Sequence, residues 1–341
     1  MFIKQVLTYN ALMNILGIES SCDDTGLAII DSNGTIIGHI TSSQHDIHEK
    51  YGGIVPELAS RDHVKKFIPL LEILFERTSL SLNDIDLIAF TNGPGLLGPL
   101  LTGVGLAKSL AWTNKIPIVE VNHLEAHIYS PMITENNLKP PFISLLVSGG
   151  HTILSSVDSQ FLIQTLGATL DDSAGECFDK IARKLGLGYP GGPSISKRAE
   201  LSSLNEFDFP RPMIRSNDFN FSFSGLKTHA LKTIQENTLD DNKINNISSA
   251  LQEAIIDVLI CKTTKASQSL NVKNIVVTGG VSANTKLREN FSKEKDYNVY
   301  FPDVKFSTDN GVMIAYAGYL KYIKSSKSSN LAIKPNPSLT I

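Results

Sequence analysis

The sequence offers almost no cysteine chemistry. Cys22, Cys177 and Cys261 are the only three in 341 residues and they lie far apart. They form no CxxC pair and no even-numbered framework. Disulfides and cysteine-based zinc sites are therefore excluded, and a reducing, cytoplasmic compartment is expected. Long apolar runs are missing too. The longest candidate, Leu96 to Trp112, is interrupted by Lys108 and four Gly or Pro residues, well short of the roughly eighteen clean residues a membrane span needs. No secretory leader is legible either. Residues 1–12 hold one lysine, a broken apolar core and no small-residue cleavage site, and read as an N-terminal extension before a strand, Met13 to Ile18, that carries its own methionine. A large charge of one sign is absent: the formal net charge of −3 excludes a generally basic nucleic-acid binder, though not a local basic face. The glycine loop Gly279 to Asn284 is neither GxGxxG nor GxxxxGK[ST], so it lends no support to a Rossmann or P-loop nucleotide site.

What is present is a repeat. Ile15–Ile18 and Leu27–Ile30 read as a hairpin with the polar tip Glu19 to Thr25. Phe142–Val147 and Ile153–Val157 read as another, with the tip Ser148-Gly149-Gly150-His151-Thr152. Each hairpin is followed later by a strand, a glycine loop and a helix: Leu87–Thr91 with Asn92-Gly93-Pro94-Gly95, and Ile275–Thr278 with Gly279-Gly280-Val281-Ser282-Ala283-Asn284. The order predicts a duplicated α/β architecture. Glu19 to Asn92 spans 73 residues and Ser148 to Gly279 spans 131, so the second half holds an insertion, placed at about 161–231. The expected division is a first subdomain over 13–130, completed by a C-terminal helix over 310–323, and a second over 131–309. A flexible tail is expected over 324–341.

Several short patterns carry possible chemistry. His123-Leu124-Glu125-Ala126-His127 puts two imidazoles on one helical face, where they can grip a metal ion or simply be hydrogen-bonded histidines. The pattern is HxExH, not HExxH, so Glu125 points off the histidine face and cannot serve as a zincin base. Asp309 is either a third, carboxylate ligand or a helix N-cap. Asp23 and Asp24 on the first tip suit a metal or its waters, while Ser148-Gly149-Gly150 lets a phosphate approach the backbone. Asn284 and its glycine loop suit a nucleotide, or form a helix start with Ser282 as N-cap. Asp171 or Asp172 is expected to cap the helix that follows, and Asp179 is either an exposed charge or a hydroxyl acceptor. Between Lys180 and Lys232 nine Lys/Arg face four Asp/Glu. Phe219, Phe221 and Phe223 are interleaved with them. That suits an RNA backbone with aromatic contacts, through Lys197, Arg198, Arg211, Arg215 and Lys227, or a solvated face over core phenylalanines.

Taken in order, Gly17 to Thr25, Asn92 to Gly95, Asn122 to His127, Leu146 to Thr152, Asp171 to Lys180, Tyr189 to Pro193, Phe221 to Thr228, Gly279 to Asn284 and Thr308 to Asn310 resemble one family. It is the tRNA N6-adenosine threonylcarbamoyltransferase family of the TsaD type, formerly described as O-sialoglycoprotein endopeptidase. The resemblance covers about residues 13 to 323. It implies the duplicated actin-like fold of sugar kinases, Hsp70 and actin, with RNase H-like subdomains flanking a cleft. It implies transfer of a threonylcarbamoyl group from threonylcarbamoyl-AMP to N6 of the adenosine 3′ of the anticodon, in tRNAs reading ANN codons. It also implies one divalent metal ion per subunit, iron before zinc, on His123, His127 and Asp309. The adenylate would be bound by Leu146, Val147, Ser148, Gly149, Gly150, Asp179, Gly192 and Asn284. The implied partners are a same-fold paralogue of the TsaB type and a small ATPase of the TsaE type, with no membrane. Asp23 and Glu19 are candidates for the acid–base residue by position alone. The rival readings are a metalloprotease acting on glycoproteins and an ATPase or kinase-like regulatory protein of the same fold.

Overall fold

A computed structural model of the chain describes residues 12–341 except 136 and 205. The extension read over 1–12 lies, but for Leu12, outside the described residues. The chain forms two compact units. One comprises the described residues up to Ile133 together with Asp309–Ile341, and the other is Thr134–Thr308.

In the first unit β1 (Asn14–Glu19) pairs antiparallel with β2 (Asp24–Asp31), and β3 (Ile36–Ser43) lies antiparallel along the far side of β2. β3 alternates half-buried and exposed residues, the pattern of an edge strand with one face on the core. After α1 (His45–Glu49), α2 (Pro56–Thr78) opens on a proline, whose missing N–H costs nothing in a first turn. β4 (Leu87–Gly93) is buried at every residue and runs parallel to β1. Strands covered on both faces read as continuous apolar runs. α3 (Leu97–Asn114), β5 (Ile118–Asn122) and α4 (His123–Tyr129) follow, giving the sheet order β3-β2-β1-β4-β5.

The second unit repeats that plan. β6 (Phe142–Val147), β7 (Thr152–Val157) and β8 (Ile163–Ala168) form the antiparallel part. Then come α5 (Ala174–Lys184), α6 (Gly191–Ala199), α7 (Ser224–Glu236) and the long α8 (Asp241–Leu270). β9 (Asn274–Thr278) joins β6 in parallel, α9 (Thr285–Phe291) follows, and β10 (Asn298–Tyr300) completes the order β8-β7-β6-β9-β10. The two orders are the same, so the duplication expected from the sequence is present strand for strand. The insertion begins later than expected, because β8 pairs with β7 and is the third strand of the repeat rather than part of the added segment.

Phe221 and Phe223 are fully buried in the core of this unit and Phe219 packs against it. They are core residues, not a base-stacking surface. The expected flexible tail is also corrected. Leu331 and Ile333 pack on the core of the first unit, and the segment beyond them is hydrogen-bonded to β4 and β5.

α10 (Gly311–Ser325) returns the chain to the first unit and lies against β1, β2 and β4. Glycines permit this contact. A Cβ on Gly17 would clash with the Gly311 carbonyl and lie 2.6 Å from Ala315 N, and one on Gly311 would lie 2.6 Å from Ala28 N. The helix therefore rests backbone on backbone against the sheet. Gly17→Ala is expected to lower stability by about 1–3 kcal/mol through overpacking, read as a shift of the denaturant midpoint at unchanged slope.

Candidate functional site

α4 carries His123 and His127 one turn apart. Its start is fixed by Asn122, whose side-chain oxygen accepts from Leu124 N at 2.9 Å and Glu125 N at 3.4 Å. Asp309 stands immediately before α10. Its neighbour Asn310 is the N-cap there, accepting from Met313 N at 3.0 Å, which leaves the Asp309 carboxylate for other work. Asp309 Oδ1 lies 3.0 Å from His127 Nε2 and 3.5 Å from His123 Nε2. One ligand atom from each of the three residues falls within 4.8 Å of the others. The imidazoles meet edge to face, 4.7 Å between centroids. Of the two readings open for Asp309, the cap is taken by Asn310, and the three residues together could hold a metal ion.

Behind this triad sits Glu19, fully buried. One of its oxygens accepts from Ser21 N. The other accepts from the Thr91 hydroxyl at 2.6 Å and lies 3.0 Å from His123 Nδ1. A carboxylate on Nδ1 fixes the imidazole with its proton there and turns Nε2 outward as a lone-pair donor, the usual support of a metal-ligating histidine. Glu19, a base candidate by position, is thus committed to holding His123. Glu125 is directed elsewhere. Burial raises its carboxyl and its charged neighbours are Lys321 and Lys324 of α10, so the paired histidines lack a protease glutamate.

The electrostatics fit a cation. Burial works against charge on Asp309 and Glu19, but the His123 imidazole pulls both below the usual carboxylate range. Against the cost of its own burial, His123 is raised well above its ordinary value by Glu19 and Asp309. Asp23 and Asp24 share this corner. Burial, then Asp309, raises both, and Asp24 reaches about 7. Glu19 and Asp309 lean on the His123 imidazole, Asp23 and Asp24 add negative charge beside Asp309, and Asp24 Oδ1 and His127 Nδ1 are buried without a hydrogen-bond partner. A divalent ion on two imidazoles and one carboxylate would supply the missing positive charge, and nitrogen–oxygen donors of this kind suit iron or zinc. His63, which the sequence reading did not single out, braces the same corner from α2. Its Nδ1 lies 2.7 Å from the Thr25 hydroxyl and its Nε2 3.0 Å from the Cys22 carbonyl.

The second unit gathers the expected adenylate residues into one region. Leu146 and Val147 are buried, so only their backbone is available, whereas Gly149 and Gly150 are exposed with open space where a Cβ would stand. The tip is closed by Ser148 N to His151 O at 2.8 Å and tied to α5 by the Ser173 hydroxyl donating to Gly149 O at 2.6 Å. Gly279, at φ +85°, passes against the Val147 carbonyl. Gly192 and Gly280 also face open space. Asp179, half-buried, accepts from Gly191 N at 2.6 Å and so shapes the turn into α6. Burial raises its carboxyl. Asn284, not Ser282, is the cap of α9, accepting from Leu287 N at 2.9 Å, and its amide donates to Gln252 at 2.8 Å. Its side chain thus already has two partners.

Ser173 rather than Asp171 or Asp172 caps α5, accepting from Glu176 N at 3.0 Å. The aspartates have other partners. Asp172 pairs with Lys180 and Lys227. Asp171 accepts from the Ser222 and Ser224 hydroxyls and the Phe223 and Ser224 amides at the start of α7. Burial opposes its charge, but these four donors hold the carboxyl at about 2. A depressed carboxyl stabilises the fold fully above its ordinary value, and that contribution drains away as pH falls from about 4 towards about 2. Asp171→Ala is therefore expected to cost about 1 kcal/mol at neutral pH, as a lost cap does. The difference from wild type should close near pH 2 in paired denaturant titrations.

Of the five expected RNA contacts, Lys227 pairs with Asp172, Arg198 with Asp241 at 2.9 Å, and Arg211 with Asp208 and Asp257 at 2.6 and 3.0 Å. Lys197 and Arg215 are exposed and have no ion pair among the described residues. Among those residues no helix is long and apolar enough to cross a membrane.

Comparison with known proteins gives a consistent result. The sequence profile of the family described as "TsaD: tRNA N6-adenosine threonylcarbamoyltransferase" matches residues 35–316. A protein of that name from Ralstonia pickettii (strain 12J) is 48% identical over 317 residues, covering 91% of each chain. One from Thermosipho africanus (strain TCF52B) is 46% identical over 328 residues, covering 95% of this chain and 99% of its own. Among solved structures, T. kodakarensis HypF matches 93% of this chain and 48% of its own, with a TM-score of 0.64 at 15% identity. That likeness shows the actin-like fold.

Proposed function

The chain belongs to the tRNA N6-adenosine threonylcarbamoyltransferase family, and from that membership we propose that it moves the threonylcarbamoyl group of threonylcarbamoyl-AMP onto N6 of the adenosine 3′ of the anticodon in tRNAs reading ANN codons. The observation that carries the reading is the meeting of His123, His127 and Asp309 around one point, with His123 held from behind by Glu19.

The donor is a mixed anhydride with AMP as a ready leaving group. The acceptor is a weak nucleophile, because the N6 lone pair is delocalised into the adenine ring. The work left to the enzyme is alignment and stabilisation of charge on the carbamoyl oxygen. One divalent ion, iron in preference to zinc, would be held by His123 Nε2, His127 Nε2 and Asp309, and when bound it supplies Lewis-acid polarisation. Glu19 keeps the His123 proton on Nδ1, so that Nε2 stays available. The backbone of Ser148, Gly149, Gly150 and Gly192 takes the adenylate phosphate and ribose, since glycine allows close approach, and Asp179 and Asn284 set the turns around it. Asp23, its carboxyl raised by burial, accepts the proton that leaves N6, with Asp24 beside it. Lys197 and Arg215 contact the tRNA backbone. The protein acts in the cytoplasm with a same-fold partner and a small ATPase, and a separate enzyme forms the adenylate.

The test combines tRNA, threonine, bicarbonate, ATP and the purified partner proteins, with and without this chain, followed by nucleoside mass spectrometry. Threonylcarbamoyladenosine is expected only when the chain is present. Equal product in its absence, or none in its presence, overturns the reading.

A further inference from the structure

The segment 326–341 follows a defined path across the first unit. Ser329 N donates to the Ile118 carbonyl at 2.6 Å and Glu120 N to the Ser329 hydroxyl at 3.0 Å, so the segment covers the open edge at β5. Lys108 donates to the Ile333 carbonyl, and Leu331 and Ile333 are packed on the core. The chain then crosses the end of β4. Asn336 N donates to the Asn92 carbonyl at 2.8 Å and Gly95 N to the Pro337 carbonyl at 3.1 Å. Gly93 has no room for a Cβ because the Asn336 carbonyl fills that place. Finally the Asn122 side-chain amide donates to the Thr340 carbonyl at 3.0 Å.

Two of these contacts reach the triad. Asn122 divides one amide between two tasks: its oxygen caps α4, which carries both histidines, and its nitrogen is tied to Thr340. The loop after β4, held by Asn336 and Pro337, continues into Leu96 N donating to the Ser21 carbonyl at 2.8 Å. Thr91 at the end of the same strand holds Glu19, and Glu19 holds His123. A cap that rotates, or a loop that slips, changes where the imidazoles point. Edge cover needs only the stretch through Ile333. The last residues instead run to the two places from which the ligands are aimed.

We propose that residues 336–341 are a positioning strap for the metal site, acting on His123 and His127 through Asn122 and on Glu19 through the loop after β4. The inference rests on the metal reading above. Its test uses four variants of the full chain beside wild type. They are a truncation after Asn336, Asn122→Ser, the two combined, and His123→Ala. Serine keeps an N-cap oxygen but is too short to reach Thr340. Each protein is stripped of metal and titrated with Zn2+ against a chromophoric chelator, and its denaturant midpoint is measured. Wild type should bind one ion tightly and His123→Ala should not. The truncation and Asn122→Ser should each weaken binding about ten-fold, the scale of lost support behind a ligand. The double variant should be no worse than the truncation alone, because the truncation already removes the contact between Asn122 and Thr340. A truncation that lowers the midpoint but leaves affinity unchanged overturns the strap, as do additive losses in the double variant. Should the truncated chain not fold, Asn122→Ser decides alone: unchanged affinity overturns the strap. Absence of binding by wild type overturns the metal reading and the strap with it.

Discussion

Asp309→Asn is expected to yield a folded chain that transfers threonylcarbamoyl about a thousand-fold more slowly, the upper range for loss of one charge-stabilising group, and that retains metal poorly. Asparagine keeps the size of the side chain and one oxygen but removes the charge. In the metal-free chain Asp309 is drawn well below the usual carboxylate range by His123 and His127, although burial opposes this. It is therefore an anion, partly buried beside two buried imidazoles, where its charge is worth more than in open water. The fold has little to lose, because the helix that follows is capped by Asn310 and not by Asp309. Metal analysis of the purified variant, followed by single-turnover transfer with supplied threonylcarbamoyl-AMP, measures both effects. Stoichiometric metal with a wild-type rate would remove Asp309 from the site.

Glu19→Gln is expected to have the next largest effect. Glu19 receives three donors, Ser21 N, the Thr91 hydroxyl and His123 Nδ1, and is fully buried. An amide offers one acceptor oxygen and places N–H groups where the site already supplies donors. At least one buried donor is left unmet, at about 1–3 kcal/mol. His123 is no longer fixed with its proton on Nδ1, and metal affinity should fall about 10–100-fold. The same variant separates the two roles considered for Glu19. A proton acceptor replaced by glutamine leaves metal affinity intact and stops transfer, while a positioning carboxylate lowers both together. Linkage has a definite sign. Glu19 is held below its ordinary value, so its contribution to stability is present above the usual carboxylate range and is lost as pH falls through the depressed value.

The histidine pair of the candidate metal site was legible because the i, i+4 spacing is a local signal, while the residues alone left Asp309 open between ligand and N-cap, since 182 residues separate it from His127. Glu19 was visible as a residue but not as a partner of His123. That contact depends on β1 and β5 lying on either side of β4, a register that no local spacing encodes. The repeat was read from its buried strands, β1, β4, β6 and β9, which are continuous apolar runs. β3 and β8 escaped because edge strands mix polar and apolar residues, and the insertion was consequently placed too early. Asp171 was misassigned for a different reason. An aspartate three residues before a helix looks like its cap, yet Ser173 takes that position and Asp171 reaches forward to a helix 53 residues away. The 326–341 segment, rich in serine, lysine and proline, looks loose in composition. Its anchors are chiefly main-chain hydrogen bonds, which composition does not reveal.

The contact between α10 and β1 has an evolutionary consequence. Side chains between two packed elements act as shims, and each substitution among them shifts one element against the other by a fraction of an ångström. Where Gly17 meets Gly311 there are no shims, only main chain. Neighbouring apolar positions such as Leu16, Ile29 or Ile314 can therefore drift among similar side chains without moving the start of α10, and Asp309 stands two residues before that start. The geometry of the site is thereby buffered against substitutions in its own core, and the cost of that buffering is concentrated in two glycines that leave no room for a Cβ.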